Sequence, residues 1–293
     1  MIIHASFLLY LQYMKTTLNK LRNSLIPLYG KGETEAIIRI IFHHLKNWNL
    51  TDILIHKEDE LSPFIRGQID EILERLLKYE PIQYITGEAR FHGMELKIKP
   101  GVLIPRPETE ELVDIIIDRN KERADLRILD VCTGSGCIAL ALARNLPFSK
   151  VTAIDISPLA IEVARENSDL LKTKVKIVKS DIFEWEPHEK YDIIVSNPPY
   201  VLDKEALHME KNVLNYEPHE ALFVRDDDPL VFYERISDLS LECLAENGEL
   251  YFEINPLFAD SLKKMLEKKG FSEVSIIRDS YGKERFISSV LQA

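Results

Sequence analysis

ILDVCTGSGCIALALA, residues 128–143, decides the fold. Its first residues complete the apolar run RILDVC (127–132), which has the unbroken hydrophobic character of a strand buried on both faces. Gly134 and Gly136 then permit a tight turn, and GCIALALARNL opens a helix directly behind it. The same alternation repeats downstream. Strands are expected at KVTAIDI (150–156), KVKIVKSD (174–181), YDIIVSN (191–197) and GELYFEI (248–254), with weaker ones at SEVSIIRD (272–279) and ERFISSVL (284–291). The helices between them are PETEELVDIIIDRN, GCIALALARNL, PLAIEVARENSDLL, DPLVFYERISDLSLECLA and PLFADSLKKMLEKKG. Apolar strands alternating with amphipathic helices predict an α/β domain over 107–293, with a mostly parallel sheet covered on both faces. Only SYGK separates the last two strands, so a hairpin there would bring one antiparallel strand into the sheet.

Upstream the character changes. Residues 81–106, PIQYITGEARFHGMELKIKPGVLIPR, are punctuated by proline, and RFHGMELKI reads as a hairpin turning at His92-Gly93. This stretch is expected to link two domains. Residues 15–80 read as helices only: LNKLRNSLIPLY, ETEAIIRIIFHHLKNW and FIRGQIDEILERLLKYE, with starts at Thr51-Asp52 and Ser62-Pro63. Residues 1–14 are apolar but lack the length of a membrane span and the flanks of a signal peptide. They read as an N-terminal extension, with Met14 a plausible alternative beginning.

Composition narrows the class. The chain has 293 residues and a net charge of −11, an acidic balance that speaks against a nucleic-acid partner. The N-terminal 80 residues hold as many basic as acidic side chains, so they form no basic arm. Three cysteines, Cys132, Cys137 and Cys243, without a C-x-x-C pair, fit a reduced, cytoplasmic protein with no disulfide, and no metal-ligating pattern stands out.

A glycine turn between a strand and a helix offers free backbone N–H groups to a nucleotide-like ligand. Asp155, at the end of the next strand, suits the two hydroxyls of a ribose, and Asp181 ends the third strand, where an adenine could lie. Ala139 occupies the third position of a G-x-G-x-x-G/A pattern, so spacing alone leaves a dinucleotide open. Asp130, just before the turn, would repel a pyrophosphate and attract the cationic end of S-adenosylmethionine, which favours a methyl donor.

The fourth strand ends in VSNPPYV (195–201). Two consecutive prolines cannot continue a central strand, because each lacks an N–H and has a fixed φ. At the carboxyl end of that strand, Asn197, Pro198, Pro199 and Tyr200 would face the same crevice as the glycine turn. The Asn197 side-chain oxygen and the Pro198 carbonyl present two fixed acceptors, and Tyr200 adds a flat ring with a polar tip. Such a pocket suits a planar –NH2 group held for in-line attack on a sulfonium methyl.

With these motifs in view, the chain resembles the class I S-adenosylmethionine-dependent methyltransferases bearing N-P-P-Y, and more closely the peptide chain release factor glutamine methyltransferases of the HemK/PrmC family. The resemblance rests on EPIQYITG (80–87), GVLIPRPETEELV (101–113), ILDVCTGSGCIALALA (128–143), AIDIS (153–157), SDIF (180–183), SNPPYV (196–201), YEPHEAL (216–222) and YGKERF (281–286). It implies a Rossmann-like domain with a seven-stranded, mostly parallel sheet, preceded by a small all-α substrate-recognition domain and a β-hairpin linker. It implies transfer of a methyl group from S-adenosylmethionine, leaving S-adenosylhomocysteine, to the side-chain amide of the glutamine in a Gly-Gly-Gln loop of release factors. Asn197 and Pro198 would accept the amide N–H groups, with Pro199 and Tyr200 against the amide and Pro105, Arg106 and Glu108 walling the glutamine. Asp130, Cys132, Thr133, Gly134, Ser135 and Gly136 would hold the methionine part of the donor, with Asp155, Ile156, Asp181, Ile182 and Asn197 completing its site. The partner would be the release factor, with neither nucleic acid nor membrane engaged directly. The related alternatives are a ribosomal-protein glutamine methyltransferase and an N6-adenine DNA or RNA methyltransferase. Cys132 stands where a glycine is common, Asn255-Pro256 replace a common glycine after Phe252-Glu253-Ile254, and Arg285 reads as structural as readily as functional.

Overall fold

The computed structural model describes residues 14–292. The chain divides into two compact units, one ending at Gly87 and one beginning at Glu88. Of the expected extension, residues 1–14, all but the last lie outside the described residues; Met14 belongs instead to the first helix and is fully buried.

The first unit is helical, as its apolar spacing predicts. α1 (Met14–Lys46) is broken at Gly30, whose φ of 72° and ψ of 170° suit glycine alone, so the two expected helices meet there without a loop. Asn49, rather than Thr51-Asp52, caps α2 (Leu50–Ile55), accepting from Thr51 and Asp52 N while Asp52 returns a bond to the Asn49 N–H. Ser62 caps α3 (Pro63–Leu76) with Pro63 in the first turn, as read from sequence. EPIQYITG contains a short helix, α4 (Ile82–Thr86), closed by Gly87 at φ 73°. Leu21, Leu25, Ile38, Ile41, Phe42, Ile69 and Leu76 form this unit's core.

The second unit opens with the hairpin of β1 (Glu88–Phe91) and β2 (Met94–Lys97). Its turn residues His92 and Gly93 both have positive φ, 47° and 70°, the conformation a two-residue hairpin turn requires. The hairpin is more than a linker. Phe91, Met94 and Leu96 are buried in one core with Leu112, Ile116 and Leu140.

After α5 (Pro107–Asn120) come β3 (Arg127–Val131), α6 (Cys137–Asn145), β4 (Lys150–Asp155), α7 (Pro158–Leu170), β5 (Val175–Lys179) and β6 (Tyr191–Ser196). Two short strands, β7 (Val201–Leu202) and β8 (Phe223–Val224), pair in parallel; at two residues each they leave no pattern in the sequence. Then follow α8 (Val231–Cys243), β9 (Leu244–Glu253), α9 (Ala259–Lys269), β10 (Ser272–Arg278) and β11 (Glu284–Leu291). The seven-stranded sheet has the order β10-β11-β9-β6-β3-β4-β5. All neighbours are parallel except β11, which runs antiparallel to both β9 and β10. The chain leaves β3 toward β4 and β5 and returns to place β6 on the other side of β3. That reversal opens a crevice at the carboxyl ends of β3 and β6. One core, with Leu112, Ile138 and Leu140, covers one face of the sheet; another, with Tyr233, Leu239 and Leu262, covers the other.

Candidate active site

Buried β3 delivers the chain to the crevice at Val131. The turn then passes through left-handed conformations at Cys132 (φ 61°), Gly134 (φ 55°) and Gly136 (φ 81°). For Cys132 this costs about 1–2 kcal/mol, since its Cβ crowds the following carbonyl. A Cβ at Gly136 would sit 3.2 Å from Ala164 Cβ, so this glycine lets α6 start hard against α7. A Cβ at Gly134 would meet no protein atom within 4 Å, so that side of the turn faces the open crevice.

Two carboxylates hold the turn. Asp155, at the end of β4, accepts from Gly134 N at 2.8 Å and from Ser157 N at 2.9 Å. Burial raises its pKa, and the N–H groups of Ser157, Gly134 and Ile156 oppose that rise. Asp130 is fully buried; its Oδ2 accepts from Thr133 Oγ1 at 2.6 Å and from Ala139 N at 3.1 Å. Its other oxygen, Oδ1, and the nearby Ser135 Oγ are buried without a protein partner. Burial pushes the Asp130 carboxyl up to about 7, against its bonds to Thr133 and Ala139. A buried acid with one unsatisfied oxygen behind a glycine turn fits a cationic amino group and would be held charged by it.

Across the switch point, Ser196 Oγ donates to the Val131 carbonyl at 2.7 Å and ties the ends of β6 and β3 together. Asn197 follows, half-buried, and Pro198 and Pro199 are buried. Tyr200 N donates to the Leu222 carbonyl at 3.2 Å, beside the β7–β8 pair. The Tyr200 carbonyl accepts from Asn255 Nδ2 at 3.1 Å, and Asn255 also donates to Glu205 Oε2 at 2.8 Å. The Tyr200 hydroxyl donates to Glu253 Oε1 at 2.9 Å. Glu253 Oε2 accepts from Thr109 Oγ1 at 2.6 Å, and Asn197 Nδ2 reaches Thr109 Oγ1 at 3.4 Å. Burial raises the Glu253 pKa, while Thr109, Tyr200 and Arg285 favour its charged form. Burial and the adjacent Glu253 charge drive the Tyr200 phenol well above its ordinary value, so Tyr200 stays neutral.

The IPRPETE segment is fixed from a distance. Buried Glu217, in YEPHEAL, accepts from Arg106 at 2.6 Å and from Ile104 N at 3.2 Å. Arg106 therefore spends its charge on Glu217 and braces the loop. Pro105 and Glu108 are half-buried beside it. Arg285 pairs with Asp279 at 3.4 Å; burial opposes its charge, but Tyr200, Glu253 and Glu108 more than offset that.

The expected donor residues lie at the ends of β3, β4 and β5, with Asn197 after the end of β6. Ser180 N donates to the Asp155 carbonyl at 2.9 Å, joining the last two ends. Ile156 is 56% exposed, whereas Ile182 is 6% exposed and packs into the core with Tyr233 and Phe252. The Asp181 carboxylate accepts from Phe183 N at 2.9 Å. Sequence reasoning misses Thr109, Glu217, Glu253 and Asn255. One signal exists for Glu253: a lone carboxylate in the apolar run LYFEI, at the carboxyl end of the strand beside β6.

Two family models match the chain: Methyltransferase small domain over residues 109–217 and PrmC N-terminal domain over residues 18–87. A release factor glutamine methyltransferase of Bacteroides thetaiotaomicron is 44% identical over 271 residues, covering 92% of this chain and 97% of its own. Another, from Flavobacterium psychrophilum, is 41% identical and covers 90% of this chain and 94% of its own. Among solved structures, a methyltransferase from Pyrococcus furiosus superposes with a TM-score of 0.52 at 19% identity, covering 76% of this chain and 100% of that one, a likeness of fold alone.

Proposed function

We infer the chemistry of this site from one premise: the chain belongs to the release factor glutamine methyltransferase family. It methylates the side-chain amide nitrogen of the glutamine in the Gly-Gly-Gln motif of peptide chain release factors. The observation that carries the reading is the placing of the Asn197–Tyr200 turn beside the glycine turn, on strands tied at Ser196 and Val131.

S-adenosylmethionine, when bound, supplies a methyl group on a positively charged sulfur and leaves as S-adenosylhomocysteine. Asp130, with its unsatisfied oxygen, supports binding of the amino-acid end, and Cys132 to Gly136 offer a backbone cradle for it. Each Asp155 oxygen already accepts one backbone N–H and keeps a lone pair for a ribose hydroxyl. Ile156, Asp181 and Ile182 would border the base, with Ile156 supplying the exposed apolar surface.

A carboxamide nitrogen is a weak nucleophile because its lone pair is delocalised into the carbonyl. Asn197 Oδ1 and the Pro198 carbonyl accept its two N–H groups, hold the nitrogen and pull it toward a tetrahedral shape. Its lone pair would then point along the line of methyl transfer, and the N–H made acidic by the new N–C bond would give up its proton to solvent as the product leaves. Positioning and exclusion of water by the buried prolines and the Tyr200 ring supply most of the acceleration. Pro105, Arg106 and Glu108 stand as a wall for the glutamine, with Arg106 acting through its Glu217 pair. The helical unit is read as the release-factor grip, and the protein as cytoplasmic. Among the described residues no helix is long and apolar enough to cross a membrane. The charge of −11 favours a protein substrate over DNA or RNA.

The test is a mass measurement on a release factor incubated with the protein and S-adenosylmethionine. One added methyl on the Gly-Gly-Gln peptide is expected. Modification of naked DNA or of a ribosomal protein in its place would overturn the substrate assignment.

A further inference from the structure

We propose that Thr109 and Glu253 are positioning residues that decide which end of the Asn197 amide faces the crevice. An asparagine amide is nearly symmetric in shape, yet one end accepts hydrogen bonds and the other donates them. The proposed chemistry requires the oxygen to face the substrate N–H. Nothing within SNPPY itself enforces that choice, because a flipped amide occupies the same volume.

The direction is imposed by a chain of hydrogen bonds. Glu253 is buried, and each of its carboxylate oxygens accepts from one hydroxyl. Its Oε2, 2.6 Å from Thr109 Oγ1, therefore fixes the threonine hydroxyl as a donor. The remaining lone pairs of that oxygen accept, and the group they meet is Asn197 Nδ2 at 3.4 Å, at the long end of a hydrogen bond. With its NH2 directed at Thr109, Asn197 turns its oxygen the other way. The second Glu253 oxygen does the same for Tyr200, accepting from its hydroxyl at 2.9 Å. One carboxylate thus orients both side chains that flank the proline pair. Thr109 lies in IPRPETE and Glu253 at the end of β9, so three distant segments meet on one amide. Asn255, two residues beyond Glu253, holds the Tyr200 carbonyl and keeps the turn seated while the amide is aligned.

This inference rests on the reading of Asn197 as the acceptor of the substrate amide, and the test separates the two. Steady-state kinetics on a release factor would be measured for Thr109→Val, Thr109→Ser, Glu253→Gln and Asn197→Ala, with S-adenosylmethionine affinity determined by calorimetry. Valine keeps the shape of threonine and removes the lone pair; serine keeps the hydroxyl and removes a methyl. A positioning role predicts that Thr109→Val lowers kcat by roughly 10- to 100-fold, while Thr109→Ser stays within about threefold of wild type. Glu253→Gln places an NH2 against one of the two hydroxyls and lowers kcat by at least about tenfold. Donor affinity stays within about twofold for the Thr109 and Glu253 variants, because neither side chain is in the glycine turn. In the double variant Thr109→Val/Asn197→Ala, the threonine change adds no further loss, since its effect passes through Asn197. Thr109→Ala removes the hydroxyl without adding bulk and serves if valine disturbs folding. If Asn197→Ala is inactive while both Thr109→Val and Thr109→Ala keep kcat within about twofold of wild type, the positioning role is overturned and the acceptor reading stands. If Asn197→Ala itself keeps full activity, the acceptor reading fails first.

Discussion

The two turns that meet at the switch point are built on opposite principles. The donor turn, 131–136, is held largely by backbone conformation, with three left-handed residues, the Gly134 N–H donating to Asp155 and the Thr133 hydroxyl to Asp130. The acceptor turn, 196–200, is held by side chains that come from Thr109, Glu253 and Asn255. A ligand gripped largely through backbone needs geometry that glycine provides locally. A planar amide that must be presented in one orientation needs polar groups whose own direction is fixed, and those arrive through tertiary structure.

The difference can be broken from either side. The largest effect is expected at the acceptor turn, where Asn197→Ala should lower kcat by about 100- to 1000-fold, the range for removing a positioned hydrogen-bonding group at a reacting centre. Donor affinity by calorimetry should fall far less than kcat. Comparable losses in both would show that the turns are not separable.

At the donor turn, Gly136→Ala forces a Cβ to 3.2 Å from Ala164 in a left-handed conformation. It should cost about 2–3 kcal/mol of stability in denaturant titration, from steric and backbone strain together. A variant as stable as wild type would mean that α6 and α7 separate easily.

The next effect is a pH dependence confined to the donor turn. Asp130 has its pKa raised to about 7 by burial, and a bound cation favours its charged form. Donor affinity should therefore be greatest above pH ~8 and fall as pH drops through about 7, becoming ~10-fold weaker near pH 6. Asp130→Asn should flatten that dependence at a uniformly lower affinity, and a flat profile in the wild type would remove Asp130 from the cation site. Smallest of all, Cys132→Gly should relieve the φ of 61° and raise stability by ~0.5 kcal/mol, the left-handed strain less the entropy of a freer unfolded chain. A loss on melting would show that packing of the cysteine side chain outweighs its strain.

The residues fall into two groups by how far away their partners lie. Gly134, Gly136, Asp130 and Asp155 are legible in the sequence itself, because a strand–glycine–helix pattern carries its reason within some thirty residues. His92-Gly93 and Ser62-Pro63 are equally legible, since a tight turn and a helix cap are made by adjacent residues. Asn49 does not stand out from Thr51-Asp52, because several capping residues lie together there and only the hydrogen bonds separate them. The hairpin's burial against Leu112 and Leu140 and the pairing of the two-residue strands are not legible, for no local pattern reports what lies opposite.

Taken alone, the sequence determined the alternation of strand and helix, the glycine turn and its acidic neighbours, and the rigid Asn197–Tyr200 stop, because each follows from dihedral limits and hydrophobic period over a short span. Tertiary structure alone decided that β11 enters between β9 and β10, that Arg106 is spent on Glu217, and that Thr109 meets Glu253 across 144 residues to orient one amide. Those outcomes depend on buried polar groups finding partners far along the chain, and the cost of leaving them unpaired acts only once the folded interior has excluded water.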